Sequence, residues 1–250
     1  MPDPATYVFC LVQSSRAPSV RGVPKGIPGA GPPRALAVDR GLWAIVADAP
    51  LDRFSGEQLQ QELQDLEAVS RHAIAHASIV EFFFQRGPVI PLKLFTLFSQ
   101  DGRARRHLAG RKTQLRRLFA ELRGLEEWGV RIIGAVEPAV ASRAPVVSGR
   151  DYLEVKKRLR DEGAAPPRAT VKEVNGGLKT LARVASKTRK DTFPPAGRGR
   201  PYVTGASFLV KAARRAQWKR QAAQLAAWLE KRGHRLEMSG PWPPYHFVSR

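Results

Sequence analysis

Thr6-Tyr7-Val8-Phe9-Cys10-Leu11-Val12-Gln13 holds an unbroken apolar run, Tyr7 to Val12, between polar residues. It is short and rich in β-branched and aromatic side chains, which reads as a buried strand. Everything that follows is placed against it. Ser14–Pro33 carries five prolines and four glycines, so it is a loop. Arg34–Asp39 and Leu42–Asp48 read as two strands with Arg40-Gly41 as a tight turn between them.

Ser55-Gly56-Glu57-Gln58 fits a capping box. A helical pattern runs from there to about residue 84, with a break expected near Val69–His72. Leu59, Leu63 and Leu66 recur at helical spacing, as do Ile79, Phe82 and Phe83. Gly87-Pro88 ends it. Val89–Phe98 is an apolar strand whose internal Pro91 points to an edge or a bulge. Asp101–Gly124 is a basic amphipathic helix with Leu108, Leu115, Leu118 and Leu122 on one side, and Trp128–Val136 returns as a strand. The order β-ββ-α-β-α-β suits an α+β sheet with helices on one face, a variant of the ferredoxin-like layout.

Pro138–Pro145 is a candidate linker. Beyond it, helices are expected over Ser148–Glu162, with Tyr152, Val155 and Leu159 as the apolar stripe, and over Thr170–Ser186. Lys187–Pro201 reads as a basic loop and Tyr202–Val210 as a strand. Lys211–Arg232 is a long helix with Trp218, Ala222, Leu225, Ala226 and Leu229 on one face and Gly233 as its cap. Arg235–Met238 is a short strand. The expectation is an α+β protein of two domains, 1–137 and 138–238, with a tail at 239–250.

That tail holds Gly240-Pro241-Trp242-Pro243-Pro244-Tyr245-His246-Phe247-Val248. Proline fixes φ and removes a donor, so the segment is expected to be extended and stiff. Disordered tails are polar. This one, with Pro241, Trp242, Pro243, Pro244, Tyr245 and Phe247, is built to lie in a groove, on its own body or on a partner, and packing on the body is the expectation.

The net charge is +20, and it is placed unevenly. Residues 1–100 hold nine basic and nine acidic residues, so the whole excess lies in 101–250. Such a field favours an anionic partner. No run reaches the ~18–20 apolar residues of a membrane-spanning helix. The N-terminus has no basic stretch leading into an apolar one, so no secretory leader is expected. The single cysteine, Cys10, sits in the first strand and makes neither a disulfide nor a thiolate cluster. A cytoplasmic protein is expected.

Catalytic and metal constellations are absent from the pattern. His72 and His76 stand four apart, a usable ligand pair, but position 73 is Ala and no third ligand is near. The glycines at 22, 26, 29 and 31 are interleaved with prolines and lack a following Gly-Lys-Ser/Thr. Glu126 and Glu127 are adjacent and so diverge. No cofactor is expected, and no enzyme. Lys187, Arg189, Lys190, Arg198 and Arg200, with Phe193 among them, form a basic segment of the kind that binds single-stranded nucleic acid.

Several segments, in order, resemble the gas vesicle protein F/L family (GvpF/GvpL). They are Gly41-Leu42-Trp43-Ala44-Ile45-Val46; Val89–Phe98; Ser148-Gly149-Arg150-Asp151-Tyr152-Leu153; Gly205-Ala206-Ser207-Phe208-Leu209-Val210; and the proline-aromatic ending. The chain departs from the pattern at Lys93, Leu94 and Phe95, where Arg-Phe-Gly is common. Loss of that glycine makes any positive φ at Phe95 costly. The resemblance implies a ferredoxin-like first domain, the tail packed between domains, and a non-enzymatic role in gas vesicle assembly through the hydrophobic shell protein GvpA. The candidate contacts are Pro91, Leu92, Lys93, Phe95 and Phe98 at a sheet edge, with Lys211, Arg214 and Arg215 on the basic helix. A basic α+β nucleic-acid-binding protein is the alternative that charge alone supports.

Overall fold

The computed structural model describes residues 4–54, 56–134, 168–190 and 202–248. Two compact units emerge, one of residues 1–124 with 242–250, the other of residues 125–241.

The first unit is built on β1 (Ala5–Gln13). It pairs antiparallel with β3 (Leu42–Ala49) from Ala5↔Ala49 to Gln13↔Leu42, and β3 pairs with β2 (Arg34–Asp39). On its other side β1 takes two short strands in turn: β4 (Val89–Pro91) opposite Cys10–Val12 and β5 (Leu97–Phe98) opposite Thr6–Tyr7. The order is β2-β3-β1-β4, with β5 also on β1.

Tyr7 through Leu11 have no exposed surface at all. Alternate residues of a strand face opposite ways, so a strand this buried is covered on both faces. Tyr7 meets α3 (Leu66–Phe84) through His76, whereas Thr6 donates to Asp101 at the start of α4 (Asp101–Gly110). Helices therefore cover both faces, where the sequence pattern suggested one. Ile79, Val80 and Phe83 of α3 join Tyr7, Phe9 and Ile45 in the core.

In the second unit β6 (Leu125–Ile133) pairs antiparallel with β8 (Tyr202–Lys211), and β7 (Lys187–Lys190) pairs with β8. The sheet order is β7-β8-β6-β9, with β9 (Arg235–Trp242) at an edge. Trp128, Val130, Ile132 and Phe208 pack with α6 (Arg168–Ala182) and α7 (Arg215–Glu230), and the Trp128 and Trp218 rings lie 5.3 Å apart. α6 and α7 approach closely at Gly177: a Cβ there would stand 2.6 Å from Leu225 Cδ1.

The structure redraws several expected elements. The long first helix divides at Asp65, not at Val69–His72, into α2 (Gly56–Gln64) and α3, after a single turn, α1 (Leu51–Phe54). Asp65 is extended and its carboxylate accepts from the Glu67 N–H at 2.9 Å, capping α3. Asp101–Gly124 likewise divides at Arg111 into α4 and α5 (Lys112–Leu122), and Phe119 is buried where Leu118 is only half-buried. The strand after it starts at Leu125 and belongs to the second sheet. Lys187–Lys190, read as loop, is strand β7. The expected extended tail begins as strand, with β9 running to Trp242, and ends as one helical turn, α8 (Tyr245–Val248). An edge position admits Pro241, which needs no donor there. Ser55, the linker 138–145, the helix expected over 148–162 and the basic residues 191–201 lie outside the described residues.

Candidate partner-binding site

The segment Pro91–Phe98 is not one strand. Pro91 is buried opposite Cys10, Leu92 N–H still reaches Phe9 O at 3.0 Å, and then the chain leaves the sheet. It rejoins where Val8 N–H donates to Thr96 O at 2.9 Å. Between them Leu92–Thr96 forms a turn closed by Thr96 N–H and Oγ1, both donating to Lys93 O at 3.2 and 2.7 Å. Lys93 is its exposed residue; Leu92, Phe95 and Phe98 are half-buried, and Phe98 lies 5.3 Å from the His107 ring.

Phe95 has φ 60°, the left-handed region. Phe95 thus holds a conformation that glycine adopts freely and a residue with a Cβ does not. A side chain there costs about 1–2 kcal/mol. A buried polar chain holds it. Phe95 N–H donates to Tyr7 Oη at 3.2 Å, Tyr7 O–H lies 2.7 Å from His76 Nδ1, and His76 Nε2 lies 3.2 Å from Leu92 O.

The carbonyl can only accept, so Nε2 carries the proton, Nδ1 accepts from Tyr7, and the imidazole is neutral. Protonating Nδ1 would leave the Tyr7 hydroxyl hydrogen without an acceptor. Burial pushes His76 down to about 4, against a smaller upward pull from the Leu92 carbonyl, and pushes the Tyr7 hydroxyl up. His72 stacks edge-on to Phe95 at 5.4 Å and sets Nε2 2.9 Å from Glu62. The i, i+4 histidines are therefore engaged in holding the turn. Among the described residues no three His, Cys, Asp or Glu side chains gather as a metal requires. Tyr7, Glu62, His72 and His76 are the residues that sequence reasoning did not place in this site. The signal was present in the histidine spacing and a tyrosine inside a buried strand.

The basic residues stand elsewhere, in the second unit. Lys211 ends β8 and is exposed, and Arg214 is exposed in a one-turn 3-10 segment. Arg215 opens α7 and is committed internally: Nε and Nη2 donate to Glu126 at 2.8 and 2.6 Å, which raises its pKa. Glu126 is buried and also accepts from Trp128 Nε1 at 2.8 Å.

The tail residues also divide. Pro241 and Trp242 end β9, and Trp242 is 42% exposed. Pro243 and Pro244 are buried, Tyr245 packs on the first unit's core, and Phe247 is half-buried in α8, which packs against β4.

A family profile described as "Gas vesicle synthesis protein GvpL/GvpF" matches residues 5–249. Gas vesicle protein L of Streptomyces sp. (strain CB03234) is 30% identical over 257 residues, covering 98% of this chain and 93% of that protein. The crystal structure of GvpF from Anabaena sp. PCC7120 superposes with a TM-score of 0.68 at 16% identity, covering 99% of this chain and 97% of that one. GvpF from Microcystis aeruginosa gives 0.64 at 14% identity, covering 98% and 99%. These structural likenesses speak to the α+β fold alone. With the profile spanning nearly the whole chain, this protein belongs to the GvpL/GvpF family of gas vesicle synthesis proteins.

Proposed function

We propose that this protein serves gas vesicle formation as a non-enzymatic assembly factor that binds the small hydrophobic shell protein GvpA in the cytoplasm or at the vesicle. A shell subunit that polymerises through apolar and strand-edge surfaces needs them covered until delivery. The observation that carries the reading is the Leu92–Thr96 turn, held out from the sheet edge by the Tyr7–His76 chain in a member of this family. A turn pre-set in its bound shape loses little entropy on binding. Lys93 and Leu92 supply the contact, and Phe95 and Phe98 back it. Lys211 and Arg214 add electrostatic encounter more than affinity. The first unit is read as a ferredoxin-like variant in which the loop 14–33 stands where a helix would connect β1 to β2; the order β2-β3-β1-β4 supports that reading. The tail's candidate residues are read as structural.

The test is co-expression with a gas vesicle shell subunit and co-purification across a salt series. Retention at moderate salt, with Lys93→Glu reducing it several-fold, supports the reading. Retention unaffected by Lys93→Glu and Leu92→Ser removes the turn from it, and no retention at all removes the shell protein. One observation favours nucleic acid as a second reading: the edge strand β7, Lys187-Thr188-Arg189-Lys190, is exposed at every residue. Binding that falls steeply and linearly on a log–log salt plot would mark that mode.

A further inference from the structure

Two surfaces are left unexplained by the turn. The first is a ridge on α2 and α3. α2 buries none of its residues although Leu59 and Leu63 stand one turn apart. Leu63 is 49% exposed, Leu66 80% and Ile74 67%. Ser70, Ala73 and Ala77 continue the exposed or half-exposed, uncharged side of α3. The ridge also reverses the protein's charge. From Asp52 to Ala77 there are five carboxylates (Asp52, Glu57, Glu62, Asp65 and Glu67) against Arg53 and Arg71, in a chain of net +20, and Arg71 pairs with Glu67 at 2.8 Å.

The second surface is a groove of about 600 Å³ between α6 and α7. Gly176, Gly177 and Thr180 line one side and Gln221, Leu225 and Trp228 the other, spaced at three and four so that each set is one helix face. Leu225 already covers Gly177, so the open floor is at Gly176, where nothing lies within 4 Å of a Cβ position. The Gln221 side-chain oxygen is buried with no donor. Arg183 also lines the groove, and its one acid among the described residues, Glu173, is already paired with Arg232 at 3.0 Å.

We propose that the ridge of one copy docks in the α6–α7 groove of a second copy. The two surfaces complement each other in two independent respects. A protruding leucine edge meets a concave glycine, leucine and indole lining. An acidic flank meets a basic one, since Lys172, Lys179, Arg183, Arg220 and Lys231 are exposed around the groove. Two bodies of +20 repel one another, so contact is favoured where the local charge is reversed. A contact of this kind is satisfied either reciprocally, as a closed dimer with both ridges seated, or one-sidedly, extending into rings or filaments.

Sedimentation velocity of the full chain from micromolar to sub-millimolar concentration, at about 0.15 M salt, tests this. Wild type should associate, to a dimer or beyond. Leu66→Asp disables the ridge at a site exposed enough to leave the fold intact. Gly176→Trp fills the groove, and nothing lies within 4 Å of where its Cβ would stand. Each variant alone should associate at least about tenfold more weakly. Mixed together, they retain one intact groove and one intact ridge, so they should form a 1:1 pair that grows no further. A wild type that is monomeric throughout overturns the proposal. So does association that survives Leu66→Asp, or a mixture that fails to pair. Loss of shell-protein retention by Leu66→Asp in a monomeric wild type would assign the ridge to that partner instead.

Discussion

The two units place their buried polar groups in opposite ways. In the first, a tyrosine, two histidines and a glutamate reach from the core to the Leu92–Thr96 turn, so a surface loop is fastened to the interior. In the second, the interior is aromatic, with Trp128, Phe208 and Trp218 stacked together, and the buried Glu126 is tied outward to Arg215. The lesson is about coupling. What happens to the first core is felt at its turn, whereas the second core is sealed and its stability rests on packing. The units should therefore answer different perturbations.

The largest expected effect tests the packed side of that contrast. Trp218 is fully buried against Trp128 and Phe208. Trp218→Ala should cost about 3–5 kcal/mol in the second unit through lost burial and the cavity left behind. Amide hydrogen exchange reads it: protection in β6 and β8 should collapse by orders of magnitude. Unchanged protection there would mean that the indole pair does not hold the sheet.

Acid tests the polar side. His76 has a folded pKa of about 4, against roughly 6.5 unfolded. Its neutral form is the folded one, so its contribution is complete above roughly pH 6.5. It shrinks as pH falls, because the unfolded chain takes up the proton first, and is gone below about 4. At about 1.4 kcal/mol per pH unit, some 3 kcal/mol is lost across that window. Urea unfolding of the first unit, followed from pH 7 to 4, should show this slope, and His76→Gln should flatten it. An equal slope in the second unit, or none in the first, would erase the distinction drawn between the two cores.

The sequence was most legible where one physical signal dominated. The buried strand at Thr6–Gln13, the β2–β3 hairpin around Gly41, the buried face of α7 and its Gly233 cap all follow from periodicity and glycine. Gly233 does take φ 74°. Breaks inside continuous apolar or amphipathic runs were less legible. Val89–Phe98 reads as one strand because the excursion at Leu92–Thr96 is stabilised by Tyr7 and His76, far away in sequence. Asp65 interrupts a helical pattern by capping, a signal that competes with the leucines on either side. The partner of the strand at 125–133 is β8, whose paired residues lie 69 to 86 positions on, and pairing at that distance leaves no local mark. The acidic leucine ridge was visible as spacing, but its exposure depends on what the fold leaves uncovered.

The smallest expected effect sharpens the view that the turn is held by the core. In ordinary contexts alanine is favoured over glycine because glycine loses more chain entropy on folding. At Phe95 the order should invert, since φ is 60°. Phe95→Ala removes the ring from His72 and keeps a Cβ in the left-handed region. Phe95→Gly removes the ring and the strain together. Both lose the edge-on contact with His72, so their difference isolates the backbone. Phe95→Gly should be the more stable of the two by about 0.5–1 kcal/mol, the left-handed penalty less glycine's entropic disadvantage. Thermal and urea midpoints of the two variants give that difference directly. If Phe95→Ala is the more stable, the turn is not set by φ at this position, and the Tyr7–His76 chain would be holding the segment in another conformation. If glycine wins by the expected margin, the phenylalanine is retained at a cost in backbone strain, and its ring must return that cost through His72 or a bound partner.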